Sequence, residues 1–145
     1  MAFRRQSRDA KIRLLSGVAL FSPCAKHELQ RIAALTDEIE APKGKTLTRE
    51  GDHGVEFFVV VKGSATATRR GRKVATIGPG SFFGELALLD QGPRAATVKA
   101  ETDMQLLVLT SRAFSSLLND VPSVARRILR GMAERLRSAE DAPTH

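Results

Sequence analysis

The sequence predicts an α+β domain in which an antiparallel β-roll of jelly-roll type is flanked by N-terminal helices and C-terminal helices. Its 145 residues suffice for one domain with a single core. Short runs rich in β-branched and aromatic residues alternate with glycines in the middle of the chain, and apolar residues recur at helical spacing on both sides. We expect one domain over 1–145, with an N-terminal helical segment over 1–42, the β-roll over 43–110 and C-terminal helices over 111–145.

The N-terminal segment carries two sets of apolar residues at helical spacing. Ser22-Pro23 between them predicts a helix start, because proline is well tolerated at the first helical position. The first set is Ile12, Leu14, Leu15 and Val18, and the second is Leu29, Ile32, Ala33 and Leu35. Each set predicts one helix with a single apolar face.

The β-roll is predicted from short strands separated by turns. The candidate strands are residues 46–48, 57–61, 64–68, 74–77, 96–100 and 104–109. Ile77-Gly78-Pro79-Gly80 is typical of a tight turn, because proline fixes one central dihedral angle and glycine supplies a positive one. Strands this short, with turns at such close intervals, favour an antiparallel roll or barrel.

After the last strand the helical pattern returns. Thr110 or Ser111 is placed to cap a short helix, and Asp120 with Pro122 marks the start of a longer one. The apolar residues of the longer helix are Val124, Ile128, Leu129, Met132 and Leu136. Too few residues follow Leu136 for a helix-turn-helix unit, so we expect a stand-alone domain.

The composition argues against several classes of protein. The longest apolar run, residues 57–61, is far too short for a membrane span, and the single cysteine excludes a disulfide framework and suits the cytoplasm. His27, His53 and His145 are scattered, and no nucleophile stands beside a suitable partner. We therefore expect no catalytic residues, no metal and no cofactor, so the chain is not expected to be an enzyme.

The net charge of +7 is concentrated in three places, namely residues 1–13, residues 69–73 and the last helix. The last helix carries Arg126, Arg127, Arg130, Arg135 and Arg137. Basic groups in these places are expected on solvent-exposed surfaces. They are also consistent with weak, non-specific attraction to polyanions. Without Trp or Tyr, any aromatic stacking on bases would depend on Phe alone.

Residues 82–100 contain a candidate anion site. Gly84 permits close approach of a ligand, residues 86–88 predict a helical turn with free N–H groups, and the planar Arg94 side chain matches phosphate oxygens. Glu85 fits beside an anion if it accepts hydrogen bonds from hydroxyl groups of the same ligand, as in a sugar phosphate or nucleotide. The spacing alone also fits a turn with a surface Glu85–Arg94 pair.

The whole string resembles the phosphate-binding cassette of the cyclic nucleotide-binding domain family, which includes catabolite activator-type regulators and kinase regulatory subunits. The resemblance rests on residues 84–88, a five-residue gap and residues 94–98. A second family motif precedes it, with Leu47-Thr48, Gly51-Asp52, Gly54, residues 57–60 and Gly63. It departs from the family at Thr48, where an aliphatic residue or cysteine is usual.

The resemblance implies a set of ligand-binding residues. Arg94 would pair with the exocyclic oxygens of a cyclic phosphate, and Glu85 would accept from the ribose 2′-hydroxyl. The full set is Phe83, Gly84, Glu85, Leu86, Ala87, Arg94, Ala95 and Ala96. Ala95 stands where cGMP-selective relatives carry Ser or Thr, so cAMP is the expected ligand and cGMP the alternative.

In catabolite activator relatives two hydroxyl residues of the last helix contact the base. An ungapped comparison places Ala139 and Glu140 there, with Ser138 adjacent, so Ser138 and Ala139 are the candidate base lid. The resemblance implies a cAMP sensor that acts by movement of this helix on a partner protein or a second copy. The alternative is a cAMP-tuned regulator whose basic helices meet nucleic acid. Specific DNA binding and membrane partners are not expected.

Overall fold

The computed structural model describes residues 2–4 and 8–141, with side chains over 9–138. The helices are α1 (Arg8–Ser16), α2 (Lys26–Leu35), α3 (Glu85–Leu89), α4 (Ser111–Asp120) and α5 (Pro122–Asp141). The strands are β1 (Ala2–Arg4), β2 (Asp37–Ala41), β3 (Thr46–Thr48), β4 (Glu56–Lys62), β5 (Ala65–Arg69), β6 (Arg72–Ile77), β7 (Phe82–Phe83), β8 (Thr97–Ala100) and β9 (Met104–Thr110). None of these helices is long and apolar enough to cross a bilayer.

The strands form two antiparallel sheets, which confirms the predicted α+β roll. One sheet has the order β1-β2-β9-β4-β7 and the other the order β3-β8-β5-β6. Neighbouring residues of β4 point to opposite faces, as the pleat of a strand requires. Phe57 therefore packs into a core shared with the helices, and Phe58 packs into a second core between the sheets. β7 repeats this division, because Phe82 contacts Phe57 and Phe83 stacks on Phe58.

Two strands lie inside the segment 1–42, which was expected to be helical throughout. Strand β2 pairs with β1 on one side and with β9 on the other. Ile39 is buried as in any strand, but its neighbour Glu38 is buried too and accepts a hydrogen bond from Gln105 of β9. Residues 38–41 do alternate between polar and apolar, but the segment is short and two of its four residue positions carry glutamate, which is depleted in strands. The helical segment therefore ends earlier than predicted.

The closing helices begin where the sequence predicted. The Thr110 hydroxyl caps α4 by accepting a hydrogen bond from Ala113 N at 3.2 Å, and Pro122 is the first residue of α5. Helix α5 runs unbroken through Gly131. The apolar residues identified in the sequence of this helix are only partly buried. Val124 and Ile128 lie in the core, whereas Leu129 and Leu136 are 59% and 62% exposed.

Candidate functional site

An open cavity of about 970 Å³ lies between the α3 turn, the strands β5 and β6, and helix α5. The cavity wall contains every residue of the predicted ligand-binding set, namely Phe83, Gly84, Glu85, Leu86, Ala87, Arg94, Ala95 and Ala96. Ser138 of the candidate base lid also lines it, whereas the side chain of Ala139 lies outside the described residues. The structure thus brings together residues from a turn, a strand and a distant helix.

Gly84 allows the backbone to turn from β7 into α3. Its φ of 96° lies in the left-handed region that favours glycine. A Cβ at this position would lie 2.7 Å from Arg94 Nη1 and 2.7 Å from the carbonyl oxygen of Glu56. The first-turn N–H groups of α3 have no intrahelical acceptor, as at any helix start, and they lie at the cavity wall beside Arg94. This corner of the cavity therefore presents hydrogen-bond donors.

Arg94 is held in place by the second family motif. Its backbone N donates to Asp52 O at 2.7 Å, and its own carbonyl accepts from Gly51 N at 2.9 Å. Its side chain crosses Gly54 so closely that a Cβ there would lie 1.8 Å from Arg94 Nε. Arg94 Nη1 donates to Gly84 O at 3.1 Å. Residues 51–54 thus position the arginine, a role that the sequence motif alone did not reveal.

The guanidinium of Arg94 is poorly solvated. Only 6% of the residue is exposed, and this burial lowers the pKa of the guanidinium, although Glu56 and Glu85 oppose the shift. An arginine remains charged in proteins, so the site holds a cation that has lost most of its water. A buried charge of this kind is strongly stabilised by an anion with matching geometry. The α3 corner is therefore suited to a phosphate group.

Glu85 is 4% exposed and lies at the same corner of the cavity. Burial raises the pKa of its carboxyl group, and the nearby Arg135 partly offsets this effect. Arg135 Nη1 of α5 donates to Glu85 Oε1 at 2.9 Å, and Arg135 Nη2 donates to the carbonyl oxygen of Phe82. Its guanidinium carbon also lies 4.5 Å from the Phe82 ring centroid. A carboxylate so placed can accept further hydrogen bonds from ligand hydroxyl groups.

Sequence reasoning missed Arg135, which it counted only among the basic residues of the last helix. The available signal was its spacing, because Arg135 lies three residues before Ser138 and so on the same side of α5. Gly131 sits one turn earlier, and a Cβ there would lie 2.8 Å from the Phe82 ring. The missing side chain of this glycine lets α5 approach β7 closely.

The far end of the cavity is lined by different elements. Arg69, Val74 and Ala75 come from β5 and β6, and Glu134 and Ser138 come from α5. This end combines apolar and polar groups, as small-molecule sites commonly do. Within residues 9–138 no three His, Cys, Asp or Glu side chains are grouped as metal ligands would be.

A β-roll with a buried arginine and a buried carboxylate in one cavity defines a binding domain for an anion that carries hydroxyl groups. Residues 38–121 match the family model described as cyclic nucleotide-binding domain, and the chain belongs to this family. Residues 82–100, identified by resemblance as a phosphate-binding cassette, lie within the matched range.

Similar proteins include regulators of two kinds. A cAMP-dependent protein kinase regulatory subunit of Aspergillus niger is 39% identical over 115 residues, which are 78% of this chain and 28% of that protein. The cyclic AMP receptor protein of Thermus thermophilus is 32% identical over 131 residues, with coverage of 87% and 61%. The chain thus spans only part of these relatives. A solved structure of Sp-2Cl-cAMPS bound to PKAR CBD2 is 27% identical with a TM-score of 0.76, covering 96% and 98% of the two chains.

Proposed function

We propose that the chain is a cAMP-binding sensor domain that signals through its C-terminal helix. The observation that carries this proposal is that Arg94 and Glu85 line the same cavity and are both almost fully buried. Arg94 with the α3 N–H groups takes the cyclic phosphate, and Glu85 takes the ribose 2′-hydroxyl. The cavity volume also falls within the roughly 300–1,000 Å³ typical of small-molecule sites.

The choice of cAMP as ligand has two supports. The similar proteins named above carry cAMP or a cAMP analogue in their descriptions. In this chain Ala95 provides no hydroxyl at the cassette position where cGMP-selective relatives have one. The domain binds its ligand without transforming it, and we keep the cytoplasmic location expected from the sequence.

Helix α5 is coupled to the ligand through Arg135. The guanidinium bonds Glu85, which is the carboxylate proposed to hold the ribose. A ligand hydroxyl at Glu85 therefore changes the environment of Arg135, and Ser138 on the same helix faces the base end of the cavity. Ligand binding shifts the position of a helix only through such differential contacts. The part of α5 after Gly131 thus acts as a lid over the nucleotide.

The output is proposed to be a partner protein or a second copy of the chain bound along α5. Leu129 and Leu136 are exposed and seven residues apart, so they lie on one side of the helix. Met132 lies between them and is partly buried against the core. A movement of α5 would reorient this apolar seam and so change what it binds.

A cAMP-tuned regulator that meets nucleic acid is the second candidate function. Arg126, Arg130 and Arg137 are exposed on α5, and the net charge of the chain is +7. If the first function is correct, any DNA binding should be sequence-independent and should collapse between low and physiological salt, because it depends only on counterion release. DNA binding that stays sequence-specific at physiological salt would rank this function above the first.

Calorimetric titration with cAMP and cGMP tests the proposed function directly. We expect one site per chain and tighter binding of cAMP. The same titration on Arg94→Ala serves as the control for the site, because binding of unchanged affinity in this variant cannot come from the cassette. Absence of cAMP binding to the wild-type chain would overturn the proposal.

A further inference from the structure

A second cavity, of about 400 Å³, lies between the end of helix α1, the end of strand β4 and the turn at residues 78–81. It shares only Ala19 and Gly80 with the wall of the larger cavity that contains the proposed nucleotide site. A Cβ on Gly80 would lie 3.3 Å from Ala19 Cβ, so the two cavities adjoin at a close contact. None of the predicted ligand-binding residues lines the smaller cavity.

The smaller cavity is not filled by side chains, because three residues of its wall have little or no side chain. These residues are Gly17, Ala19 and Gly80. Gly80 has a φ of 85°, and its N–H donates to Val60 O at 2.8 Å, which fixes the turn against β4. Gly17 N donates to Leu14 O at 3.1 Å just after the end of α1. The cavity is therefore bounded by backbone that hydrogen bonds hold in place.

Much of the wall of the smaller cavity is apolar. Leu14, Val18, Val60, Val61 and Pro79 contribute to it. Val18 and Val60 are 4% and 0% exposed, so the wall is continuous with the protein interior. A hydrocarbon group that binds here removes apolar surface from water. At roughly 30 Å³ for each water-sized group, the volume suits a chain of about eight carbons.

Two basic residues line the same cavity from different elements. Arg13 belongs to the last turn of α1, and Lys62 is the last residue of β4. Both residues are exposed, and within residues 9–138 neither side chain has a hydrogen-bond or ion-pair partner. In the described part of the chain no acidic residue lines this cavity. Because Arg and Lys side chains are long and flexible, both charges can approach an anion held at the opening.

We propose that the smaller cavity binds a small organic anion with an apolar chain, of the class of medium-chain carboxylates. The chain packs on the apolar wall and supplies most of the affinity. The carboxylate lies at the opening, where Arg13 and Lys62 stabilise it. Since both cations are exposed, their contribution is modest and serves mainly to select a negatively charged ligand. This site is separate from the proposed nucleotide site and does not depend on it.

Octanoate is the probe, because it combines a carboxylate with a chain of the expected length. In an NMR titration we expect saturable shifts of the backbone amides of residues 17–19, 60–62 and 80, with a Kd of about 1–10 mM for a ligand of this size. Octanamide has the same chain without the charge and should bind about fivefold more weakly. Acetate has the charge without the chain and should not saturate the site.

Combining Arg13→Gln with Lys62→Gln should weaken octanoate binding about fivefold and leave octanamide binding unchanged. Lys43→Gln combined with Arg112→Gln is the matched control, because it removes the same charge from exposed residues that line neither cavity. This control should bind octanoate as the wild-type chain does.

Three results would overturn the inference. The first is a set of octanoate shifts confined to residues 83–87 and 94–96, which would place the ligand in the larger cavity. The second is equal binding of octanoate and octanamide by the wild-type chain, and the third is unchanged octanoate affinity in the variant of Arg13 and Lys62. None of these results affects the proposed function, which the titration with cAMP tests separately.

Discussion

Gly54 lies directly under the side chain of Arg94. A Cβ on residue 54 would be 1.8 Å from Arg94 Nε and 2.1 Å from Cζ, distances at which no side chain fits unless the arginine moves. The glycine of one family motif is therefore required by the arginine of the other. This contact, together with the backbone hydrogen bonds between Arg94 and residues 51 and 52, makes the two motifs a single structural unit.

Gly54→Ala should displace the Arg94 guanidinium while leaving the roll folded. We expect cAMP affinity to fall about tenfold or more, because the phosphate loses its aligned donors. Calorimetric titration measures the loss, and circular dichroism checks the fold. Gly78→Ala is the matched control, because a Cβ on Gly78 meets no atom within 4 Å. Equal affinities for the two variants would contradict the positioning role of Gly54.

Arg94→Ala should weaken cAMP binding roughly a hundredfold, since hydrogen bonds to charged groups contribute about 1.5–3 kcal/mol each. Arg94→Lys should restore little of this, because an ammonium group cannot reproduce the planar fork of donors. Arg112→Ala, which changes an exposed arginine of α4, controls for the loss of charge. Binding within threefold of wild type for both Arg94 variants would rule out Arg94 as the phosphate ligand.

Glu85 should discriminate cAMP from 2′-deoxy-cAMP. We expect the deoxy analogue to bind the wild-type chain about tenfold more weakly, because a hydrogen bond to a buried carboxylate is lost. The same comparison in Glu85→Ala should show almost no difference, and the cycle isolates the pairwise contact from other effects of the substitution. Titrations of both ligands against both proteins provide the four affinities. An equal deoxy penalty in the two proteins would remove Glu85 from the ribose site.

The stability of the free domain should depend on pH through Glu85. Burial raises the pKa of this carboxyl group, so the folded state holds the proton more tightly than the unfolded state does. Its contribution to stability is therefore largest below the unfolded pKa and declines as the pH rises through the folded pKa. Glu85→Gln cannot ionise and lacks this decline. Urea unfolding from about pH 4 to 7 should show the variant gaining stability relative to wild type as the pH rises. A constant or shrinking difference would count against a raised pKa.

The end of α5 should respond to ligand as a lid. Amide hydrogen exchange over residues 131–141 is expected to slow when cAMP is added, because Arg135 and Ser138 gain contacts in the closed state. Truncation after Arg130 should weaken cAMP binding, since it removes both side chains but leaves residues 82–100 intact. If the truncated chain binds cAMP with unchanged affinity and amide exchange over residues 131–141 is the same with and without cAMP, α5 is a purely structural helix.

Much of the fold follows from local patterns. The glycine turns and apolar runs predicted six of the strands, because these segments are short, rich in β-branched and aromatic residues, and bounded by turn residues. Strand β2 was not predicted because glutamate is depleted in strands, and Glu38 is accommodated only by a hydrogen bond from Gln105 of β9, far away in the chain. The spacing of residues in the sequence does not predict this partner, because Gln105 comes next to Glu38 only when the sheet forms.

The site was predictable to a similar extent. Arg94 and Glu85 were identified because they lie close together in the sequence, within one contiguous motif. Arg135 was not, because α5 carries five arginines, and the packing of α5 that brings this one to Glu85 is not visible in the sequence. Thr48 was noticed as a departure from the motif, and only the structure shows that its hydroxyl donates to Ala96 O at 3.0 Å.

The opposite faces of β4 have a consequence for how the domain unfolds. Phe57 belongs to the core with the helices and Phe58 to the core between the sheets, so neither core can lose this strand without the other. We therefore expect a single cooperative transition in which helices and sheets melt together, with coincident midpoints by circular dichroism and by calorimetry. A nucleotide bound at the α3 turn would then raise the melting temperature of the whole domain, including helix α2 on the side remote from the cavity.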